Sequence, residues 1–269
     1  MLLPLAVVLL FLIPFIAIFI LRFVEPIYVL IYNRPLYLYC YPFPKKISLV
    51  QKKILETDFH FYSKLSVTKK KYFEHRLQEF LLKYEFIGKD IQVTDQMRVL
   101  IGATYVMLTF GMRHYLISMF SRIIIYPSAY YSTSGEIYHK GEFNPRFKTI
   151  VFSWEDFLLG HHTANDNVNL GLHEFTHALH FYCLKSRQTS ALIFQDEFVN
   201  VLSYFKNEEK LQGLIQRGYF RLYAYSNPFE FLAVVLEHFF ETPNLFKEAH
   251  PDLYSSVARM ININQKYFS

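Results

Sequence analysis

The sequence predicts an α+β fold, mostly helical with a small β-sheet and preceded by one transmembrane helix. Three observations carry this. Residues 1–21 contain no charged side chain. Long stretches space apolar residues three and four apart among charged ones, the pattern of amphipathic helices. Two short runs, residues 122–127 (RIIIYP) and 149–154 (TIVFSW), are β-branched and aromatic and end at turn residues, as short strands do.

The 269 residues suffice for one sizeable domain with its own core. Hydrophobic residues make up 52% and charged residues 19%, which excludes a disordered chain and leaves apolar sequence for lipid. A net charge of +5, with Lys and Arg scattered among carboxylates, provides no basic stripe for nucleic acid, so none is expected as a partner. Cys40 and Cys183 form no CxxC pair and no disulfide framework, which fits a reducing compartment.

Residues 1–24 are read as a membrane anchor. At about 1.5 Å per residue, the uncharged run matches the roughly 30 Å hydrocarbon layer. It is longer than a signal peptide's apolar region, with no preceding Lys or Arg and no small-x-small cleavage site. Pro4 lies in the first turn, and Pro14 kinks rather than forbids a span. Arg22, Arg34, Lys45, Lys46, Lys52 and Lys53 all follow the run, placing the rest of the chain in the cytoplasm by the positive-inside rule. Residues 25–47 are read as a Tyr- and Pro-rich juxtamembrane linker, lying either in the headgroup zone or as an extended strand. Residues 48–269 form the soluble domain. Within it, residues 51–88 read as amphipathic scaffold helices, and Thr94 or Asp95 caps an apolar helix ending at Gly111. The polar segment between the two strands reads as a loop or hairpin.

Residues 173–177 read His-Glu-Phe-Thr-His within a helical pattern. Four residues advance a helix by about 400°, so His173 and His177 share one face, one turn apart, at the spacing one zinc ion needs. Glu174 falls beside that axis, where it can take a proton from water at the metal. A catalytic zinc wants a third protein ligand. Downstream, Asn227 can cap a helix, Pro228 suits its first position, and Glu230 stands three residues past the cap. Glu230 is then either the glutamate of a capping box or the third ligand. Glu237, seven residues on in an otherwise apolar helix, is a candidate to orient a ligand imidazole.

The pieces TDQMRVLIGATYVMLTFG, IIIYPSAY, IVFSWEDF, LHEFTHALH and YAYSNPFEFLAVVLEHFFETPNLF occur in this order. From about residue 50 onward the chain resembles the Mlc titration factor A family of zinc peptidases. The resemblance implies a zincin-type metallopeptidase domain of the HExxH-plus-Glu kind, acting on a peptide or protein substrate. It places the Zn2+ ligands on His173, His177 and Glu230, the base on Glu174, and a tyrosine able to hydrogen-bond an oxyanion on Tyr223. The chain departs from the family pattern in two ways. His180 stands where family members commonly carry Asp, and an N-terminal membrane span precedes the domain. The family's partner, the glucose repressor Mlc, is not carried over.

Other polar residues receive plainer readings: His161 and His162 as a solvated loop pair, His238 as packing or surface, and Asp196 with Glu197 as a solvated or capping pair. Two rival functions remain on the sequence alone. One is a regulatory module that uses the same fold to dock a cytoplasmic protein, and the other is a structural zinc.

Overall fold

A computed structural model describes residues 2–132, 137–163 and 166–263. Part of the expected loop between the two predicted strands, and part of the Ala-Asn-Asp-Asn stretch after His162, lie outside the described residues.

The chain begins in an apolar helix, α1 (Leu2–Phe19). It passes through a π-helical stretch, Ile20–Val24, into α2 (Glu25–Tyr32). By length and composition Phe11–Tyr32 can cross a membrane. Helix therefore continues past residue 24, and the segment after it is neither an interfacial coil throughout nor a strand. Asn33 ends α2 in the left-handed region at φ 47°, a conformation Asn tolerates better than most residues.

Three helices follow: α3 (Leu49–Asp58), α4 (His60–Ser63) and α5 (Val67–Lys83). The predicted helical stretch does not reach residue 88, because Tyr84 turns extended and Glu85–Gly88 forms strand β1. β1 pairs in parallel with β2 (Arg122–Tyr126). That partner lies beyond the next helix, α6 (Asp95–Thr109), so no local pattern announces the strand. Thr94, not Asp95, caps α6 by accepting the Met97 N–H.

The segment expected as a loop or hairpin contains three strands. β3 (Tyr130–Ser132) and β4 (Ile137–His139) form an antiparallel pair, and β5 (Gly141–Asn144) runs antiparallel to β6 (Thr149–Ser153). The main sheet has the order β1-β2-β6-β5, with β5 at one edge. Further helices follow: α7 (Trp154–His162) and α8 (Leu170–Lys185), which pack on the sheet, then α9 (Thr189–Lys206), α10 (Glu208–Arg217), α11 (Pro228–Glu241), α12 (Pro243–Ala249) and α13 (Pro251–Met260).

Phe175 helps tie α8 to the sheet. It lies about 200° around the helix from His173, is fully buried, and contacts Tyr105, Phe120 and Phe152 with ring centroids at 5.1, 5.9 and 5.5 Å. The apolar side of the HEFTH segment thereby locks into the core while its histidines face Glu230 across the site.

Arg76 of α5 is completely buried. Its guanidinium donates to the carbonyls of Thr109, Phe110 and Met112 at 3.0, 3.1 and 2.8 Å, capping the end of α6, and to the Tyr41 hydroxyl at 2.8 Å. The rings of Tyr39 and Tyr115 face it at 4.9 and 4.3 Å. Arg76 thus pins the segment after α2 to the domain. Arg76→Met keeps the volume but strands these acceptors, so unfolding measured in urea should lose about 3 kcal/mol. A loss under about 1 kcal/mol would mean that water replaces the guanidinium without penalty.

His161 and Glu197 depart from their plain readings, whereas His238 keeps its own. His161 sits on α7 with its Nε2 2.7 Å from the Asp58 carbonyl and its ring stacked on Phe59, so it is packed rather than solvated. Glu197 is buried, paired with Arg259 at 2.6 Å and accepting from Asn33, whereas Asp196 stays exposed. His238 is packing: it is buried against Tyr219 and Phe220.

Candidate metal centre and its cleft

Two helices build the site. In α8, Asn169 caps the N-terminus by accepting the Leu172 N–H at 3.0 Å, and His173 and His177 project one turn apart. Their Nε2 atoms lie 3.1 Å from each other. In α11, Asn227 accepts the N–H groups of Phe229 and Glu230, and Pro228 occupies the first turn. The Glu230 side chain does not fold back as in a capping box; it reaches α8 instead. Its Oε2 is 2.8 Å from His173 Nε2, and its Oε1 is 3.5 Å from His177 Nε2. One donor atom from each of the three residues falls within 4.8 Å of the others.

Behind this group sits Glu237, fully buried, with Oε1 2.8 Å from His173 Nδ1. Arg221 grips the same carboxylate with two N–H groups at 2.7 and 2.9 Å, and the Asn169 backbone N–H adds a third donor at 3.1 Å. With Nδ1 held by a carboxylate, the His173 ring is fixed and its Nε2 lone pair faces the cluster. A neighbouring acid behaves differently. Glu241 accepts from Asn169 at 3.0 Å, yet burial pushes its pKa up to about 8.

The electrostatics follow from burial and charge. Burial pulls the His173 pKa down, but the carboxylates of Glu230 and Glu237 outweigh it and hold it up at about 10. Burial raises Glu230, and the two imidazoles more than reverse this, holding it far below the usual carboxylate range. The same balance lowers Glu237. Glu174 goes the other way: burial raises its pKa and wins over the lowering pull of His173 and His177.

Glu174 lines a cleft of about 470 Å³ together with Gly141, His173, Arg221, Tyr223 and Glu237. Gly141, on β5, lies close against this glutamate: a Cβ at that position would stand 3.0 Å from Glu174 Cγ and 2.7 Å from a Leu170 methyl, so those side chains would have to shift. Its absence lets the edge strand lie directly against the glutamate. Tyr223 sits on a 3-10 turn, Leu222–Tyr225, half-exposed at the mouth, with its ring 6.0 Å from that of His173. Burial, followed by the charge of Glu230, raises its phenol.

Residues 42–261 match the family of glucose-regulated metallo-peptidases, M90. The chain belongs to this family. It is also 28% identical over 226 residues to the uncharacterized protein slr2042 of Synechocystis sp., covering 75% of this chain and 79% of that protein. Family membership makes this a metallopeptidase-type fold and implies a metal ion, and the residues present fit one. Two imidazole nitrogens and a carboxylate converge, and Glu230 Oε2 is a buried acceptor without a hydrogen-bond donor despite its closeness to His173. A divalent cation satisfies all three atoms at once and displaces the proton that His173 and Glu230 would otherwise share.

The six residues singled out from the sequence lie together: His173, Glu174, His177, Tyr223 and Glu230 around the candidate metal centre and cleft, and Glu237 behind His173. Sequence reasoning missed Arg221, Asn169 and Gly141. Arg221 is the one charged residue in the run Tyr219 to Ser226, and that isolation was the available signal. His180, which replaces the family's common Asp, is buried among Phe194, Phe198 and Phe229. Its Nε2 lacks a partner, and burial pulls its pKa down to about 4. It packs among these rings.

Proposed function

We propose that the protein is a membrane-anchored zinc peptidase in which His173, His177 and Glu230 hold the ion and Glu174 is the catalytic base. The observation that supports this most is the convergence of three donor atoms within 4.8 Å at the edge of a cleft that Glu174 also lines. Two nitrogens and one carboxylate form the donor set of an open catalytic zinc site rather than of a closed structural one.

A zinc ion held there supplies Lewis-acid chemistry, acidifying water and polarising a carbonyl. The chain's own groups do the rest. Glu174 takes a proton from the attacking water as the oxygen bonds to the scissile carbon, then delivers it to the amine as the C–N bond breaks. Its buried setting makes it a stronger base than a solvated carboxylate. Tyr223, at the mouth, donates its phenolic O–H to the developing oxyanion. Glu237 and Arg221 keep His173 in one tautomer and one orientation. Gly141 lets the β5 edge approach closely enough for an extended peptide to lie beside Glu174.

In this reading residues 1–21 are the anchor, and the excess of Arg and Lys after them supports a catalytic body on the cytoplasmic side. The decisive experiment purifies the full chain in detergent and measures zinc by elemental analysis alongside hydrolysis of a peptide library. The expected result is about one zinc per chain, with hydrolysis abolished by a chelator and restored by zinc. A folded chain that binds no zinc would return the fold to a protein-docking role.

A further inference from the structure

The candidate span Phe11–Tyr32 takes in α2, yet α2 is also clamped to the domain, through Glu25 and Asn33. Helix runs without a break from Leu2 to Tyr32. Thirty-one residues at about 1.5 Å each make a rod of roughly 46 Å, against about 30 Å of hydrocarbon. The excess lies at the domain end, and two contacts hold it there. Glu25, buried, forms a two-pronged ion pair with Arg113, a residue of the loop after α6, and it also accepts the Leu36 N–H. Arg113 in turn lies over the Tyr37 ring at 3.8 Å and donates to the Tyr37 carbonyl. At the end of α2, Asn33 donates to Glu197, which also holds Arg259 of α13. The helix therefore enters the domain as a clamped strut rather than through a flexible tether.

The opposite side of the strut is apolar and uncovered. At about 100° per residue, Ile27, Leu30 and Ile31 lie between roughly 140° and 240° from Glu25, on the far face, and they are 60%, 86% and 66% exposed. Toward the Glu25 side, about 60° and 20° from it around the helix, Tyr28 and Tyr32 pack against each other with tilted rings at 4.7 Å, and Arg34 lies over both at 5.8 and 5.6 Å while donating to the Tyr28 hydroxyl. Tyrosines with a basic residue are what a headgroup layer selects. A span too long for its bilayer tilts, and the clamp decides which face of α2 turns toward the lipid.

We propose that the outer face of α2, built by Ile27, Leu30 and Ile31, is immersed in the headgroup layer of the bilayer, so that the Glu25–Arg113 side of the domain is seated on the membrane surface. The occupant is lipid, because α2 continues the apolar span and its exposed face continues the span's lipid-facing surface. The catalytic body then stands at a fixed distance from the membrane, within reach of substrates that emerge from it.

This inference rests on the reading of α1 as a retained anchor, and the test separates the two. Cys40→Ser removes the exposed cysteine, whereas Cys183 is buried and stays unlabelled. On that background, Leu30→Cys and, separately, Phe15→Cys carry an environment-sensitive fluorophore in the full chain. Each is reconstituted in vesicles of phosphatidylcholine and phosphatidylglycerol with and without lipids bearing a headgroup-proximal or a mid-chain quencher. The expected result is loss of emission at Leu30 with the headgroup-proximal quencher, and at Phe15 with the mid-chain one. Loss at Phe15 with a water-like, unquenched Leu30 would overturn the seated strut while keeping the anchor. An apolar but unquenched Leu30 that cross-links between chains would overturn it in favour of a second copy. Release of the chain from vesicles by alkaline carbonate would sink the anchor itself.

Discussion

Glu174→Gln should leave zinc bound and reduce kcat by roughly 10²- to 10⁴-fold, the usual contribution of a positioned general base. The substitution is isosteric, so the packing of the side chain against Gly141 is preserved. What disappears is the ability to accept a proton at that spot. Metal retention follows from geometry, because the three converging atoms belong to His173, His177 and Glu230, and Glu174 is not among them. The measurement pairs zinc content with steady-state hydrolysis on the same preparation. Turnover near the wild-type rate, with zinc intact, would falsify the base assignment and point to another proton acceptor in the cleft. Loss of zinc along with turnover would show that Glu174 belongs to the ligand group.

How much of this was legible in the sequence depended on how far each residue's partners lie along the chain. His173, Glu174 and His177 are related by one helical turn, so the 3.6-residue period alone places them. Asn227, Pro228 and the start of α11 were equally local. Glu230 was ambiguous because a capping box and a metal ligand both put a glutamate three residues past the cap. Only its reach across to α8 separates the two. The sheet was harder. β1 is four residues long, follows a helix directly, and owes its existence to a parallel partner on the far side of α6. β5 depends on its pairing with β6 and on a glycine whose purpose is visible only against Glu174. Glu197 looked like a surface acid because its partners, Asn33 and Arg259, lie near opposite ends of the chain. Arg221 escaped for the same reason: its meaning is Glu237, one 3-10 turn and most of a helix away. Buried charges are thus where pattern reading fails, since burial and partner both belong to the tertiary structure.

Glu230→Ala should abolish stoichiometric zinc binding while leaving the fold intact, and the contrast with Arg221→Gln gives this prediction its force. Two imidazoles on one helix remain in Glu230→Ala, but an anionic donor is lost, and with it the charge that offsets the ion's desolvation. The fold should survive, because the Glu230 side chain sits at the cleft, its helix is capped by Asn227, and removing it leaves no buried cation unpaired. Arg221→Gln acts at one remove. It takes two donors from Glu237 but leaves the 2.8 Å contact between Glu237 and His173 Nδ1. Outer-shell losses of this kind typically weaken metal affinity 10- to 100-fold, which competition with a coloured chelator resolves. The expected order is therefore wild type tightest, Arg221→Gln weaker by about that factor, and Glu230→Ala without a measurable site at the same protein concentration. Unfolding temperatures measured in the presence of chelator check that Glu230→Ala is folded. If Glu230→Ala binds zinc as tightly as the wild type, the third donor must come from elsewhere in the cleft. Aligning Glu230 with His173 would then reflect a carboxylate–imidazole pair of purely structural use.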